Sequence, residues 1–281
     1  MATSNDPRTV LEALARQREA RPELQEVIDV HHAVLTVQMG VSVAEPPPAP
    51  DTEAVQVAVE QGTPLLSSGT VQVDWDDFTA VYNDICDVVA DHRPELAGEL
   101  AALRAVVGNG HPSIRPLITQ YLAVEPPAIN DGDSDLLDFV LGSALRPFLW
   151  AQAAVLAPLV DDRQWYRSRC PVCDGEPDLA ALVEEGQRRL LCSRCDTEWL
   201  YRRIGCPFCE NTDHRKLAYY MGDNEAYRLY ICEACWHYLK TVDQRGRWQV
   251  LPLPVERVLT VGMDVAAAAA GYHARPVVSA Q

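Results

Sequence analysis

Four pairs of cysteines, each with two residues between its members, lie between positions 170 and 235 and constrain this chain more than any other feature. The ninth cysteine, Cys86, stands apart from them. Two thiolates at positions i and i+3 of a tight turn hold one side of a metal ion, and two such turns complete a tetrahedron. The spacing therefore predicts two four-cysteine metal sites. Their predicted ligands are Cys170, Cys173, Cys192, Cys195, Cys206, Cys209, Cys232 and Cys235.

The distances along the chain favour a sequential pairing of these motifs. Eighteen residues separate CPVC (170–173) from CSRC (192–195), and twenty-two separate CPFC (206–209) from CEAC (232–235). Each pair of motifs then encloses one small β-ribbon, although a crossed pairing stays open. The segments CPVCDGEPDLA and CPFCENTDHRKLA resemble each other, which indicates a doubled module. Each module is too small to bury an adequate core, so metal binding is expected to supply much of its folding free energy.

The ligands and the residues around them limit what a bound metal ion could do. Zinc and iron both accept four thiolates, so the ligand count does not separate them. Four protein ligands leave no open coordination position, which argues against a Lewis-acid catalyst. Asp174 and Glu210 follow the second cysteine of their motifs, where φ is often positive; Asp tolerates that conformation better than Glu. His214 and His237 lie near the motifs, but eight cysteines suffice, so neither histidine is predicted as a ligand.

The charge of the chain argues against binding to polyanions. Residues 1–162 hold 8 Arg and no Lys against 25 Asp and Glu, whereas residues 163–250 hold 14 Lys and Arg against 13 Asp and Glu. With a formal net charge of −16, the protein would repel nucleic acids and anionic membranes. The N-terminus lacks a basic segment followed by an apolar one, so we expect a cytoplasmic protein in which the cysteines are reduced.

The longest apolar run, at positions 136–160, has the length of a membrane span. It contains Asp138, Arg146 and Pro147, so a helix buried in the protein core is the preferred interpretation. Cys86 lies on the apolar face of another predicted helix, DWDDFTAVYNDICDVVADH, and is predicted to be a core residue.

The changes in pattern along the chain predict a multidomain α+β protein. Residues 1–162 form an acidic α-helical domain with a proline-rich excursion at about 40–72. Residues 163–202 and 203–250 form the first and second four-cysteine modules, of rubredoxin-like or zinc-ribbon-like type, with short β-ribbons. Residues 251–281 provide one C-terminal helix and a tail. Since 48% of the residues are hydrophobic, the chain can bury a substantial core.

The chain offers no recognisable catalytic motif, and we predict neither catalytic residues nor an organic cofactor. A Gly-rich phosphate loop, an HExxH pair and a Gly-x-Ser-x-Gly elbow are all missing from the sequence. Two alternatives stay open. One is a zinc-ribbon protein that binds nucleic acid through Arg188, Arg189, Arg194, Arg202, Arg203 and Arg215. The other is a thiol oxidoreductase that uses a CxxC pair.

The cysteine region resembles the formate dehydrogenase accessory protein family. The similar segments are WYRSRCPVC, RRLLCSRCDTEWLYRRIGCPFC, YRLYICEACWHYLKTVDQ and the terminal PVERVLTVGMDVAAAAAGYHAR. The chain departs from the family at CDG after the first motif, and at Glu256-Arg257, where paired acidic residues are more usual.

The resemblance implies a cytoplasmic bacterial maturation factor without catalytic activity. Its two rubredoxin-like sites would hold two iron ions through the eight cysteines named above, with zinc as the alternative metal. The implied partner is the catalytic subunit of a formate dehydrogenase, and the resemblance implies neither nucleic acid binding nor a membrane span. Whether the sites are redox-active and which surface meets the partner are left open, as is the oligomeric state, a homodimer included.

Overall fold

The computed structural model describes residues 5–43, 48–66, 70–108, 111–122, 134–222 and 224–274. The chain divides into two compact units. The cysteine unit comprises residues 1–13, 50–65 and 157–281, and the helical unit comprises residues 14–49 and 66–156. The described helices are α1 (Pro7–Ala20), α2 (Gln25–Met39), α3 (Thr52–Gln61), α4 (Trp75–His92), α5 (Ala97–Gly108), α6 (His111–Leu122), α7 (Ser134–Leu156), α8 (Asp162–Trp165), α9 (Leu253–Leu259) and α10 (Val261–Ala269).

The predicted α+β class is confirmed, with helices in the first part of the chain and strands around the cysteines. The domain limits predicted at 162, 202 and 250 stay a prediction. In the folded chain, residues 50–65 group with the cysteine unit although they lie far from it in sequence.

The helical unit is built around α4 and α7, which pack against each other and against α2. Phe78 on α4 and Phe148 on α7 are both buried, with their ring centroids 6.4 Å apart. Cys86 is fully buried on the same face of α4, which confirms its predicted core position. Asp74 caps α4 by accepting from the backbone N–H groups of Asp76 and Asp77, both at 3.0 Å, which explains why the helix begins in the acidic run.

The long apolar run forms a single helix, α7, that continues through Pro147. By length and composition the stretch Asp135–Leu159 could cross a membrane, but 61% of its most apolar window is buried within the fold. The buried amide of Gln152 donates to the carbonyl of Phe148 at 2.8 Å, so the polar group on this helix is satisfied inside the protein. Packing within the unit accounts for the apolar composition.

The proline-rich excursion contains a helix that the sequence analysis did not predict. Helix α3 begins two residues after Pro50, where Asp51 accepts from the N–H of Ala54 at 2.8 Å. It ends at Gly62, whose φ of 70° suits a left-handed cap. Positions 44–47 and 67–69 of the excursion lie outside the described residues.

One mixed sheet of six described strands organises the cysteine unit. The strands are β1 (Pro177–Leu182), β2 (Arg188–Cys192), β3 (Glu198–Tyr201), β4 (Leu217–Met221), β5 (Tyr227–Cys232) and β6 (His237–Asp243). Their order is β3-β2-β1-β6-β5-β4, and all neighbours are antiparallel except the central pair β1 and β6. The parallel pair, with Leu179 opposite Lys240, joins the two predicted modules into one sheet and covers a free edge of each.

The C-terminal segment forms two helices, α9 and α10, and not the single predicted helix. The break lies at Thr260, whose φ and ψ of −106° and 16° are not helical and whose hydroxyl donates to the carbonyl of Glu256 at 2.7 Å. Both helices contact the sheet through polar groups, of which Tyr227, Glu256 and Lys240 are buried. Tyr227 donates to the carboxylate of Glu256 at 2.6 Å, and Lys240 lies 2.7 Å from the carboxylate of Asp264.

Candidate metal centres

The first centre groups the sulfur atoms of Cys170, Cys173, Cys192 and Cys195, all of them buried. The Sγ–Sγ distance is 3.6 Å for Cys170 and Cys195, and 3.4 Å from Cys173 to each of Cys192 and Cys195. A disulfide bond would bring two sulfurs to about 2.05 Å. A tetrahedral metal ion with bonds of about 2.3 Å would hold them about 3.8 Å apart. The observed spacing is thus that of a metal site.

The second centre groups Cys206, Cys209, Cys232 and Cys235. Its Sγ–Sγ distances are 3.6 Å for Cys206 and Cys235 and 3.7 Å for Cys209 and Cys232. Both groups follow the sequential pairing of motifs, and either could hold one metal ion. They differ in exposure, because Cys209 is exposed and Cys235 is half-buried, whereas no sulfur ligand of the first centre reaches the surface.

Two kinds of turn supply the ligands. In each module the first CxxC turn precedes a hairpin, and the second CxxC turn is itself the hairpin connection. The backbone of Cys192 at the end of β2 donates to Thr197 at 2.9 Å, and Cys232 at the end of β5 faces His237 at the start of β6. The repeat seen in the sequence is thus a repeated strand arrangement, and the ribbon between the turns brings distant cysteines together.

Backbone N–H groups in these turns point at sulfur. The N–H of Val172 donates to the Sγ of Cys170 at 3.4 Å, and the N–H of Phe208 donates to the Sγ of Cys206 at the same distance. Such bonds offset the negative charge of a thiolate and hold it in position for a metal ion.

The residue after the second cysteine is left-handed in all four turns. Asp174 and Glu210 both have φ of 57°, as the sequence analysis predicted for this position. Asp196 and Trp236, with φ of 56° and 60°, occupy the equivalent place in the other two turns and were missed, although the same offset from CxxC would have found them. A non-glycine residue in this conformation costs about 1 kcal/mol, which the turn and its ligands must offset.

The metal-free thiols hold their protons tightly at several positions. Burial raises the pKa of the Cys206 thiol to about 12. Burial, followed by hydrogen bonds to the neighbouring cysteines, raises the pKa of Cys170 well above its usual value. Burial opposes ionisation of Cys192 as well, but hydrogen bonds from three cysteines lower its pKa well below the usual range. A bound cation would displace these protons, so metal affinity and pH are linked.

Comparisons with known proteins found similar sequences and a similar fold. No family model matches it. A protein named FdhE homolog from Aquifex aeolicus is 25% identical over 255 residues, covering 89% of this chain and 83% of that protein. A homolog from Cronobacter sakazakii is 29% identical over 72% of this chain and 64% of its own length. The crystal structure of the FdhE protein from Pseudomonas aeruginosa matches 97% of this chain with a TM-score of 0.63 at 22% identity.

This chain is similar to proteins named FdhE in sequence and in fold. The resemblance that the cysteine motifs predicted is confirmed, and it extends over nearly the whole fold. The chain spans about two thirds or less of the enterobacterial relatives, among them 62% of FdhE from Salmonella enteritidis, and a larger share of the Aquifex protein.

The two centres differ in chemistry at the second residue after the CPVC and CPFC motifs, which is Gly175 in the first and Asn211 in the second. A Cβ atom on Gly175 would lie 2.6 Å from the Sγ of Cys192, so only glycine fits beside the first centre. Asn211 occupies the equivalent position of the second repeat, and its side-chain amide donates to the Sγ of Cys232 at 3.8 Å. The second centre therefore replaces a close backbone approach with a side-chain hydrogen bond.

Arg257 on α9 connects the C-terminal helices to the first centre. Its guanidinium donates to Asp196 at 2.8 Å, to Asp178 at 3.0 Å and to the carbonyl of Cys192 at 2.9 Å. Burial opposes its charge, but the attraction and hydrogen bonds of the two carboxylates raise the pKa of Arg257 above its ordinary value. In the sequence Arg257 is a departure from the pattern of the accessory protein family, and in the structure it supports a metal-binding turn.

The histidines and arginines near the motifs lie outside both sulfur groups. His214 begins a short helical turn, and the ring of His237 packs 5.0 Å from that of Phe208. Among the arginines considered for nucleic acid, Arg189 pairs with Asp162 at 2.7 Å and Arg215 pairs with Asp213 at 2.9 Å. Arg188 is buried. Arg188 and Arg189 thus make contacts inside the fold, whereas Arg215 is 80% exposed, so the six candidate arginines are not all available to a nucleic acid.

Proposed function

We propose that this protein is a metal-binding accessory factor that supports the maturation of a formate dehydrogenase by contacting its catalytic subunit. The observation that carries the proposal is a match to an FdhE crystal structure over 97% of the chain, combined with two complete four-cysteine centres. The names of the curated relatives support the same role. The proposal includes the contact with the catalytic subunit and a cytoplasmic location.

The donor set supports a role without substrate chemistry at the metal. Four thiolates would surround an ion in each centre and would leave no position for a substrate or a water molecule. The eight cysteines named above would hold the ions, and the metal would supply structural cross-links and, if it is iron, the capacity for one-electron transfer.

We propose iron as the native metal, with zinc as the alternative. Anaerobic purification from iron-replete cells, followed by metal analysis and a visible spectrum, tests this assignment. We expect two iron ions per chain and the strong absorption of thiolate-to-iron charge transfer. Colourless protein with two zinc ions per chain would contradict the assignment of iron and leave the centres themselves intact.

Co-purification with a formate dehydrogenase catalytic subunit tests the partner. The wild-type chain should retain the subunit at low salt, and a Cys209→Ser, Cys235→Ser variant should lose retention if the second centre shapes the binding surface. Cys86→Ala serves as the matched control, because it removes a cysteine that lies outside both centres. Failure of the wild-type protein to retain the subunit would overturn the proposed function.

A further inference from the structure

A pocket of about 330 Å³ opens beside the second centre. Its wall includes Arg188, Arg203, Phe208, Tyr230 and His237, together with Cys206 and Cys232 of the centre itself. A volume of a few hundred Å³ with a mostly apolar wall is typical of sites for small organic ligands. Cys206 and Cys232 are shared with the second centre, but the rest of the wall has no part in the predicted metal sites or in the proposed contact with a partner subunit.

Arg188 is a buried cation on the pocket wall, with 2% of its surface exposed. One terminal nitrogen, Nη2, donates to the carbonyl of Gly205 at 2.7 Å, and the guanidinium lies 5.2 Å from the ring centroid of Tyr201. Its Nε is buried and has no hydrogen-bond partner among the described residues. Burial lowers the pKa of Arg188 to about 10, so the group stays charged at neutral pH. A buried charge with an unused donor is costly unless a counter-charge meets it.

A second arginine lies on the same wall. Arg203 donates from Nη1 to the hydroxyl of Tyr230 at 3.3 Å. Asp and Glu are both absent from the described residues that line the pocket, although the whole chain has a formal net charge of −16. The pocket is therefore a locally cationic cavity in an acidic protein.

The remaining wall is suited to a flat apolar group. Phe208, Leu217 and Leu239 line it, and the ring of His237 packs against Phe208. Nδ1 of His237 lies 2.7 Å from the carbonyl of Cys235, so this nitrogen donates, while Nε2 is buried without a partner among the described residues. The wall thus keeps hydrogen-bonding capacity that the described chain does not use.

We propose that this pocket binds a small organic anion with a flat apolar body. Its carboxylate would be received by Arg188 and Arg203, since guanidinium groups pair with carboxylates in a planar, two-bond geometry. Its apolar body would pack against Phe208 and Leu217. The competing explanation is that the two arginines serve only as counter-charges for the second centre, because a divalent ion with four thiolates carries two negative charges.

Titration of the zinc-loaded full chain with benzoate tests the proposal, and benzyl alcohol serves as the uncharged probe of similar shape. Calorimetry should show one saturable benzoate site, with binding at least about tenfold tighter than that of benzyl alcohol. Arg203→Gln should weaken benzoate binding by at least about tenfold, because it removes the charge and a donor. Arg202→Gln is the matched control. Arg202 is the preceding arginine, its guanidinium stacks over Tyr201, and it is not on the pocket wall.

The results that overturn the proposal are distinct. Absence of saturable benzoate binding to the zinc-loaded protein would show that the pocket takes no such anion. If benzyl alcohol binds as tightly as benzoate, the pocket has no subsite for an anion. If Arg202→Gln and Arg203→Gln weaken benzoate binding equally, the effect comes from the overall charge of the protein and not from Arg203. Loss of zinc from the Arg203→Gln variant with unchanged benzoate binding would assign the arginines to the metal centre. None of these outcomes depends on contact with a formate dehydrogenase, so the two proposals fail separately.

Discussion

Replacement of Arg257 by methionine should destabilise the cysteine unit and release the first metal ion selectively. The guanidinium side chain is 15% exposed and faces Asp196, which is 4% exposed, and Asp178, which is 32% exposed. Removal of one partner from a buried ion pair costs about 3–5 kcal/mol, because the remaining charge is left without compensation. Since Asp178 can recover water, we take the lower end, about 3 kcal/mol. In a protein of this size the loss corresponds to a decrease in Tm of roughly 6–12 °C.

The assay compares thermal unfolding of the zinc-loaded variants with the metal retained at each centre. Cadmium-113 NMR of the cadmium-loaded protein separates the two centres, because each gives its own thiolate resonance. We expect the resonance of the first centre to broaden or disappear in Arg257→Met, while that of the second centre stays. Arg245→Met is the control, since Arg245 is 41% exposed and pairs with Asp243, so its loss should cost less than about 1 kcal/mol.

A second variant tests whether the loss of stability comes from the charge of Asp196 or from the shape of the turn. Asp196→Asn keeps a residue that tolerates φ near 56° and removes the negative charge that Arg257 faces. The double variant Arg257→Met, Asp196→Asn should therefore be more stable than Arg257→Met alone. A change below about 0.5 kcal/mol in Arg257→Met, or equal loss of metal from both centres, would refute the assignment of Arg257 to the first centre.

Three further outcomes are expected from the geometry of the centres. A chelator at neutral pH, with an alkylating agent present, should remove one metal ion quickly and the other slowly. Cys209 should be alkylated in the fast phase, because it is exposed. Loss of both ions in a single phase would contradict this order. Gly175→Ala should lower the metal content of the first centre and destabilise the protein by about 1–3 kcal/mol, because the new methyl group would lie 2.6 Å from the Sγ of Cys192. The control Gly98→Ala, in open space on a helix, should be neutral or slightly stabilising by circular dichroism. Acidification should release zinc, because burial raises the pKa of the free Cys206 thiol to about 12 and protons then compete better with the metal as the pH falls; retention that stays constant from about pH 8 to pH 4 would contradict it.

Local sequence determined much of the candidate metal sites. A CxxC turn has few conformations that direct two sulfurs toward one point, so the motifs indicated which cysteines could be ligands, while their pairing into two groups was favoured by the spacing but left open. The left-handed backbone at Asp174 and Glu210 follows from the same turn, and their φ values confirm the prediction. The burial of Cys86 was predictable from helical periodicity, because an apolar face of a helix needs only its own sequence to be recognised.

Tertiary structure decided the features that depend on residues far apart in the chain. The parallel pairing of β1 with β6 unites the two modules, and no local pattern specifies which strand covers a free edge. Arg257 reaches Asp178 across 79 positions, so its support of the first centre appears only when the helices pack on the sheet. The unequal exposure of the two centres has the same origin. The similar motifs CPVC and CPFC form similar turns, but burial of each sulfur depends on which distant elements cover it, and Cys209 is left at the surface while Cys170 is enclosed.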